Sequence, residues 1–359
     1  MRRRLAAALK APQMRSGALT LLIAAAGGLV FDRLDMPAAW LGGAAIAVAL
    51  ATLAGVKTRL PAGLRRPVFL VLGVSMATGI EPSTLGRTAE WPLSLALLVP
   101  VVAGIVAGSY LVLRRVAGWD RATAFYASVP GALSYVMAVA LQSPADIRRV
   151  ATSQSIRLLT LVAILPLVLG GPAMEMAAAD PAFPQAYATP GDIALLLAAS
   201  GLAGWMAERL RVPAGMLTGA FVMSAALHGA GLVAALPLPL WLAGPAFVCL
   251  GALAGSRMSG IGPGELAATA AVSALALLAG LAVSLGGALA AVSLTSARLP
   301  QALLAFAPGG LDAMVAIAVI LHTDPAFVAT HQLARFLGIL LVLPAAVRLL
   351  GIPRTTPED

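Results

Sequence analysis

Charge is scarce in this chain. Only 11% of its 359 residues are Asp, Glu, Lys or Arg, against about 25% in an ordinary soluble domain. Cysteine is nearly missing: the lone Cys249 excludes an internal disulfide and a thiolate metal site. Histidine occurs three times, at 228, 322 and 331. These do not share a helix face, and neither an H-x-x-x-H pattern nor a carboxylate cluster accompanies them. No G-x-S-x-G motif occurs either. A redox or hydrolytic enzyme needs a ligand set or a nucleophile–base pair, so these shortages argue for a protein that is not an enzyme and has no metal site or resident cofactor.

What fills the chain instead is apolar. It is 60% hydrophobic, with a mean hydropathy of +0.93. Apolar runs of roughly 18 residues or more, each long enough to cross a bilayer, recur along nearly its whole length. None alternates as a barrel strand would. The fold class is therefore an all-α polytopic membrane protein. The net charge of +9 does not indicate nucleic acid, because the basic residues are spread over loops rather than gathered on one face. Lys and Arg next to membrane spans report topology. The basic start "MRRRLAAALKAPQMR" precedes a span that lacks an A-x-A cleavage site, so it reads as a retained first helix with its N-terminus in the cytoplasm. The setting expected is the inner membrane of a bacterial-type cell.

The chain is a duplication, a pattern to seek early. "FDRLDMPAAWLGGA" (31–44) matches "AERLRVPAGMLTGA" (207–220) at an offset of 176. "VFLVLG" (68–73), "VPGALSYVMAVA" (129–140) and "VATSQSIRLL" (150–159) match "AFVCLG", "APGGLDAMVAIA" and "VATHQLARFL" at an offset of 178. The register places Gln154 on Gln332, Arg157 on Arg335 and Pro166 on Pro344. Two repeats follow, 17–170 and 192–350, each of six helical segments. In the first these are near 17–34, 37–55, 67–80, 92–113, 122–142 and 149–170. In the second they are near 192–208, 213–236, 240–257, 265–295, 300–322 and 327–350.

The fifth segment of each repeat holds a helix break, Pro130-Gly131 or Pro308-Gly309-Gly310. Proline removes a donor and glycine permits a tight reversal. Two readings compete, a kinked spanning helix and a re-entrant hairpin. Charge favours the hairpin. If the fifth segments enter and return on one side, five helices span per repeat and the repeats are inverted. Only Arg33, Arg87 and Arg298 then lie outside, and the Glu175/Asp180/Asp192 stretch moves to the outer side. Irregular backbone at membrane depth survives only when buried in protein or lining a watery cavity, so the tips belong near the midplane.

Arg157 and Arg335 fall about 13.5 and 16 Å along their helices, near the middle of a hydrocarbon core about 30 Å thick. An arginine there costs at least roughly 2.5–3.5 kcal/mol on insertion scales. Two readings fit. One is a structural ion pair with Asp312. The other is an anion site, in which the helices after the two breaks aim their N-termini inward. Gln154 and Gln332 would share a face with the arginines, and Ser134, Thr152 and Thr330 would add hydroxyls. An arginine fork suits a carboxylate. Asp312, whose counterpart is Ser134, would carry a coupling proton or sodium ion or balance charge. Inverted repeats, broken helices and a midplane site are the layout of secondary transporters. Gly42, Gly43, Gly73, Gly219 and Gly251 would let helices approach closely.

The paired "PGG-L-x-x-M" and "Q-x-x-R" pattern resembles the AbrB-type membrane protein family, whose hallmark is this duplication. It is carried by Pro308, Gly309, Gly310, Leu311, Met314, Gln332 and Arg335, over roughly residues 17–350. The first repeat departs from it, with Ala132 for the second glycine and Ser134 for the acid. Members carry labels of regulator of gene expression and of ammonia monooxygenase. The residues here include neither a DNA-binding module nor a monooxygenase ligand set. At fold level the family is also similar to inverted-repeat carboxylate and cation exchangers. The expectation is a secondary transporter of a small anionic, carboxylate-like solute. The alternative is a membrane sensor that influences gene expression indirectly. The partners expected are that solute and the lipid bilayer, without nucleic acid. The substrate-binding set is Arg157, Arg335, Gln154, Gln332, Asp312, Ser134, Pro130, Gly131, Pro308, Gly309 and Gly310.

Overall fold

The computed structural model describes residues 2–77, 91–131, 133–178, 187–210, 212, 214–234 and 236–353, with side chains from residue 16 onward except those of 62, 134 and 171–178. Arg87 and Asp180, and the side chains of Glu175 and Ser134, lie outside what is described. The regular structure of the described residues is helical, in chain order α1 (Arg2–Arg33), α2 (Ala39–Leu53), α3 (Ala62–Met76), α4 (Trp91–Leu111, running into a π turn at Val112–Val116), α5 (Arg121–Ser128), α6 (Leu133–Ala140), α7 (Ile147–Ala178), α8 (Pro190–Arg209), α9 (Gly215–Gly229), α10 (Leu240–Ser256), α11 (Pro263–Leu294), α12 (Leu299–Phe306), α13 (Leu311–Ile320) and α14 (Pro325–Leu349). This is an all-α multi-pass membrane protein. Six helices, α1, α4, α7, α8, α11 and α14, are long and apolar enough to cross a bilayer. Helices α2, α3 and α9 have 15 residues and α10 has 17. At 1.5 Å per residue they reach about 22–26 Å, a turn or two short of the hydrocarbon thickness.

The chain forms two compact units, and they cut across the sequence repeats. One holds residues 1–89, 162–259 and 315–326, and the other 90–161, 260–314 and 327–359. Each therefore draws on both repeats. The first unit is built by close helix approach. At Gly73 an added Cβ would lie 2.6 Å from the Ala220 side chain and 2.7 Å from the Leu217 carbonyl. At Gly251 it would press on the Leu41 carbonyl and lie 2.8 Å from Ala44. These are the same contact twice, since residues 41 and 44 are the repeat partners of 217 and 220. Gly43 on Gly27 and Gly219 on Ala203 form a second such pair. Gly42, also expected at a close approach, sits in ordinary contact, 3.6 Å from the Val162 carbonyl.

The second unit contains both breaks, Pro130-Gly131 and Pro308-Gly309-Gly310, and both broken segments are hairpins. Helices α5 and α6 are eight residues each, about 12 Å and too short to cross. The turn after α6 returns to the start of α5, where the Asp146 N–H donates to Thr123 Oγ1 at 2.7 Å. The second hairpin behaves likewise. Ala297, just before α12, and Phe327, in the first turn of α14, share one apolar cluster. The mouths face opposite ways along α14. Arg121, which opens α5, donates from Nη1 to the Leu350 carbonyl at the C-terminal end of α14, whereas Phe327 marks its N-terminal end. The 25 residues of α14 place those ends about 37 Å apart. The hairpins thus enter from opposite sides, as inverted repeats require.

Candidate functional site

A half-helix that stops inside a membrane leaves its last four carbonyls without intrahelical partners, and lipid offers no water to take their place. In both hairpins the following long helix supplies the missing donors. Gln154 Nε2 donates to the Tyr126 carbonyl at 2.9 Å. Arg157 donates from Nη1 to the Ala127 carbonyl at 3.2 Å and from Nη2 to the Val129 carbonyl at 2.8 Å. Its Nη2 also meets Gln154 Oε1 at 3.1 Å. The second repeat uses the same spacing. Gln332 Nε2 donates to the Leu304 carbonyl at 2.7 Å. Arg335 donates from Nη1 to the Ala307 carbonyl and from Nη2 to the Gly309 carbonyl and Gln332 Oε1. Each Gln–Arg pair is a C-cap delivered from a neighbouring helix, with the cation at the negative end of the half-helix dipole. All four side chains are buried, Arg157 at 8% exposure and Gln332 at 0%.

The tips meet. Gly131 has φ +78°, and a Cβ there would lie 3.4 Å from both Arg335 Nη2 and the Gly309 carbonyl. Glycine is needed for the left-handed backbone and for the approach of the other repeat. Pro130 and Pro308 sit in the breaks beside it. Helices α6 and α13 start immediately after, so their first-turn N–H groups open at the same place. Asp312 stands in the first turn of α13, one of its oxygens 2.8 Å from where a Cβ of Gly310 would lie. On the first hairpin Ser134 takes that place in the first turn of α6.

Asp312 does not pair with an arginine. Neither guanidinium forms an ion pair among the described residues, and carbonyls and glutamines take up the donors instead. Arg335 Nη2 comes up to the Gly131 tip of the hairpin that Arg157 caps, so the two cations share the crossing point, held among the described residues by helix-end carbonyls and glutamines. Thr152, expected to add a hydroxyl at the site, donates instead to Glu265 Oε1 at the start of α11, at 2.8 Å. No group of three or more potential metal ligands occurs among the described residues.

A cavity of about 180 Å³ opens at the mouth of the first hairpin. It is lined by Tyr126, Tyr135, Gln142 and Ser143 from the hairpin side and by Pro344 and Val347 of α14. Its inner wall is Tyr126, whose carbonyl Gln154 holds. Tyr135 also ties the hairpin to α14, donating to the Leu340 carbonyl at 3.1 Å. That carbonyl's normal helical donor would be residue 344, a proline without an N–H. Sequence reasoning missed this bond and the capping role of Gln154 and Arg157. The signal was present, in that Gln154 and Arg157 each follow their carbonyl by 28 residues, as do Gln332 and Arg335.

The family model described as "Transition state regulatory protein AbrB" matches residues 40–351. Among similar proteins, the Escherichia coli (strain K12) protein named "Putative regulator AbrB" is 29% identical over 334 residues, 89% of this chain and 92% of the relative. The Bacillus subtilis (strain 168) protein named "Uncharacterized protein YhjN" is 28% identical over 301 residues, 78% of this chain and 77% of the relative. Matched over most of its length and carrying the Q-x-x-R pair on both hairpin clamps, the chain belongs to the AbrB family.

Proposed function

We propose that this protein is a secondary transporter of a small anion, of carboxylate type, in the inner membrane with its N-terminus in the cytoplasm. One observation carries the reading: two buried guanidinium groups converge where opposed hairpins meet, and neither forms an ion pair with a carboxylate among the described residues. An anion at the tips would supply that charge. The arginine forks are largely spent on carbonyls, so the arginines act chiefly as fixed charge. The direct donors to the anion would be the first-turn N–H groups of α6 and α13, with Ser134 beside one of them. The cavity at the first mouth is the access route from the Gln142 side. A proton or sodium ion would be coupled to the anion, no cofactor or chemical step would be needed, and no nucleic acid would be bound. Alternating access requires a site reachable from either side in turn, and two opposed hairpins with touching tips support that reading.

A sensor that influences gene expression indirectly is the second reading, favoured by the regulator name of the E. coli relative. Two measurements separate the readings. In a thermal-shift screen of the purified protein against acetate, succinate, citrate, phosphate and sulfate, a ligand at 100 times its Kd adds about 2.7 kcal/mol. Any anion that stabilises is then tested for uptake into sealed proteoliposomes. Stabilisation with uptake supports transport, stabilisation without uptake supports the sensor, and no stabilisation by any anion overturns the anion site.

A further inference from the structure

His331 is fully buried, on α14 one turn before Arg335. Its counterpart in the first repeat is Ser153. The ring Nδ1 lies 2.8 Å from the Phe327 carbonyl, which only accepts, so Nδ1 carries a hydrogen. The ring Nε2 lies 2.8 Å from Ser94 Oγ of α4. Ser94 Oγ in turn lies 2.9 Å from the Trp91 carbonyl.

These positions admit two complete hydrogen-bond patterns. With a neutral ring, Ser94 donates its single hydrogen to Nε2. With a protonated ring, Nε2–H donates to Ser94, and the hydroxyl turns to the Trp91 carbonyl. The heavy atoms need not move. A buried charge is tolerated only when its polar atoms are paired, and most buried histidines lose a partner on gaining a proton. This one loses none.

We infer that His331 and Ser94 form a proton-binding site on the second hairpin's clamp, and that the protein takes up a proton together with its anion. The coupling rests on the transport reading above, whereas the proton site does not. The surroundings fix the sign. From α4 the ring meets Ser94, and Trp91 packs on Phe327. From α12 it meets Phe306, with centroids 6.0 Å apart. On its own helix it stacks on Phe327 at 4.0 Å. Arg335 is the charged group on that face, one turn along and about 6 Å away. Asp324 and Arg298 flank the starts of α14 and α12. A proton on His331 adds a third positive charge beside two guanidinium groups. An anion is then held more tightly, and by reciprocity an anion raises proton affinity. Loading both together is symport.

The test uses the full-length protein in nanodiscs with ¹⁵N-labelled histidine, its three signals assigned by His→Gln variants. Between pH 8.5 and 4.5, one signal is expected to pass from a single neutral tautomer to imidazolium. It should be lost in His331→Gln, and its midpoint should fall by about one pH unit or more in Ser94→Ala. A His331 signal that stays neutral over the whole range overturns the proposal. In parallel, the thermal shift given by succinate is followed against pH. Affinity is expected to rise at least about fivefold from pH 8 to pH 5, and to be flat in His331→Gln, whose amide satisfies the same two partners. A titrating His331 with no succinate or phosphate effect keeps the proton site and overturns the transport reading. Succinate binding with a silent His331 keeps the anion site and overturns this inference.

Discussion

The two hairpins are built alike and equipped differently. In both, a Gln–Arg pair three residues apart closes the broken helix, reaching back 28 residues to equivalent carbonyls. Yet the acid at the tip, Asp312, and the buried histidine beside the clamp, His331, belong to the second repeat, and serines 134 and 153 stand in their places in the first. The first hairpin has a tether the second lacks, the Tyr135 bond to Leu340, because its counterpart is Ala313. Duplication kept what holds a half-helix in a membrane and let the rest diverge. The clamp is thus structural in both halves, and the proton site we infer belongs to one.

The strongest challenge to this comparison is to remove the clamps. Arg157→Ala orphans the buried Ala127 and Val129 carbonyls, at roughly 1–3 kcal/mol apiece, whereas Arg335→Ala orphans the Gly309 carbonyl and leaves the Ala307 carbonyl its bonds from the Gly309 N–H and Gln332 Nε2. Arg157→Ala is expected to lose about 3 kcal/mol or more in thermal unfolding, and Arg335→Ala about 1–3 kcal/mol. A loss confined to one would mean that only one hairpin depends on its arginine. Next come the tip glycines. Gly131→Ala forces a left-handed alanine, at roughly 1–2 kcal/mol, against Arg335 and Gly309. At Gly309 the added methyl would meet the flexible end of Met314. The first substitution should therefore destabilise more than the second, and the reverse order would place the tight contact in the other hairpin.

Smaller still is the tether. Tyr135→Phe leaves the Leu340 carbonyl without a partner and should cost about 1–2 kcal/mol. Pro344→Ala restores the helical N–H to that carbonyl, so the double variant should recover most of the loss. A purely additive cycle would show that the hydroxyl does not serve this carbonyl. The smallest effect belongs to the other compact unit. Arg66 pairs with Glu208 at 2.9 Å but is 68% exposed, so Arg66→Ala should change stability by less than about 0.5 kcal/mol. The orientation of the hairpins is open to a direct check. Cysteines at Gln142 and Thr323, in a Cys249→Ser background, should react with an impermeant reagent from opposite sides of the membrane. Labelling from one side would make the repeats parallel.

Much of this was written in the chain. Twelve apolar segments, two of them broken, are visible as sequence, and the helices observed match them closely. Pro130-Gly131 and Pro308-Gly309-Gly310 marked the breaks, because backbone chemistry is local. The repeat register marked Gln154, Arg157, Gln332 and Arg335 as pairs. Their purpose was only half legible. A buried arginine must have partners, but sequence suggested a carboxylate, Asp312 or a bound anion, where the fold supplies helix-end carbonyls.

The sequence by itself determined that this protein lives in a membrane, that it is a duplication, and that each half is broken at a fixed place. Hydrophobic run length and the limits on proline and glycine act residue by residue. The tertiary structure alone decided that helices from both repeats combine into each compact unit, that the tips of opposed hairpins touch, and that His331 meets Ser94 across 237 residues. Those facts depend on which orphaned donors and acceptors reach one another once lipid has removed water as an alternative partner. No local preference encodes that choice.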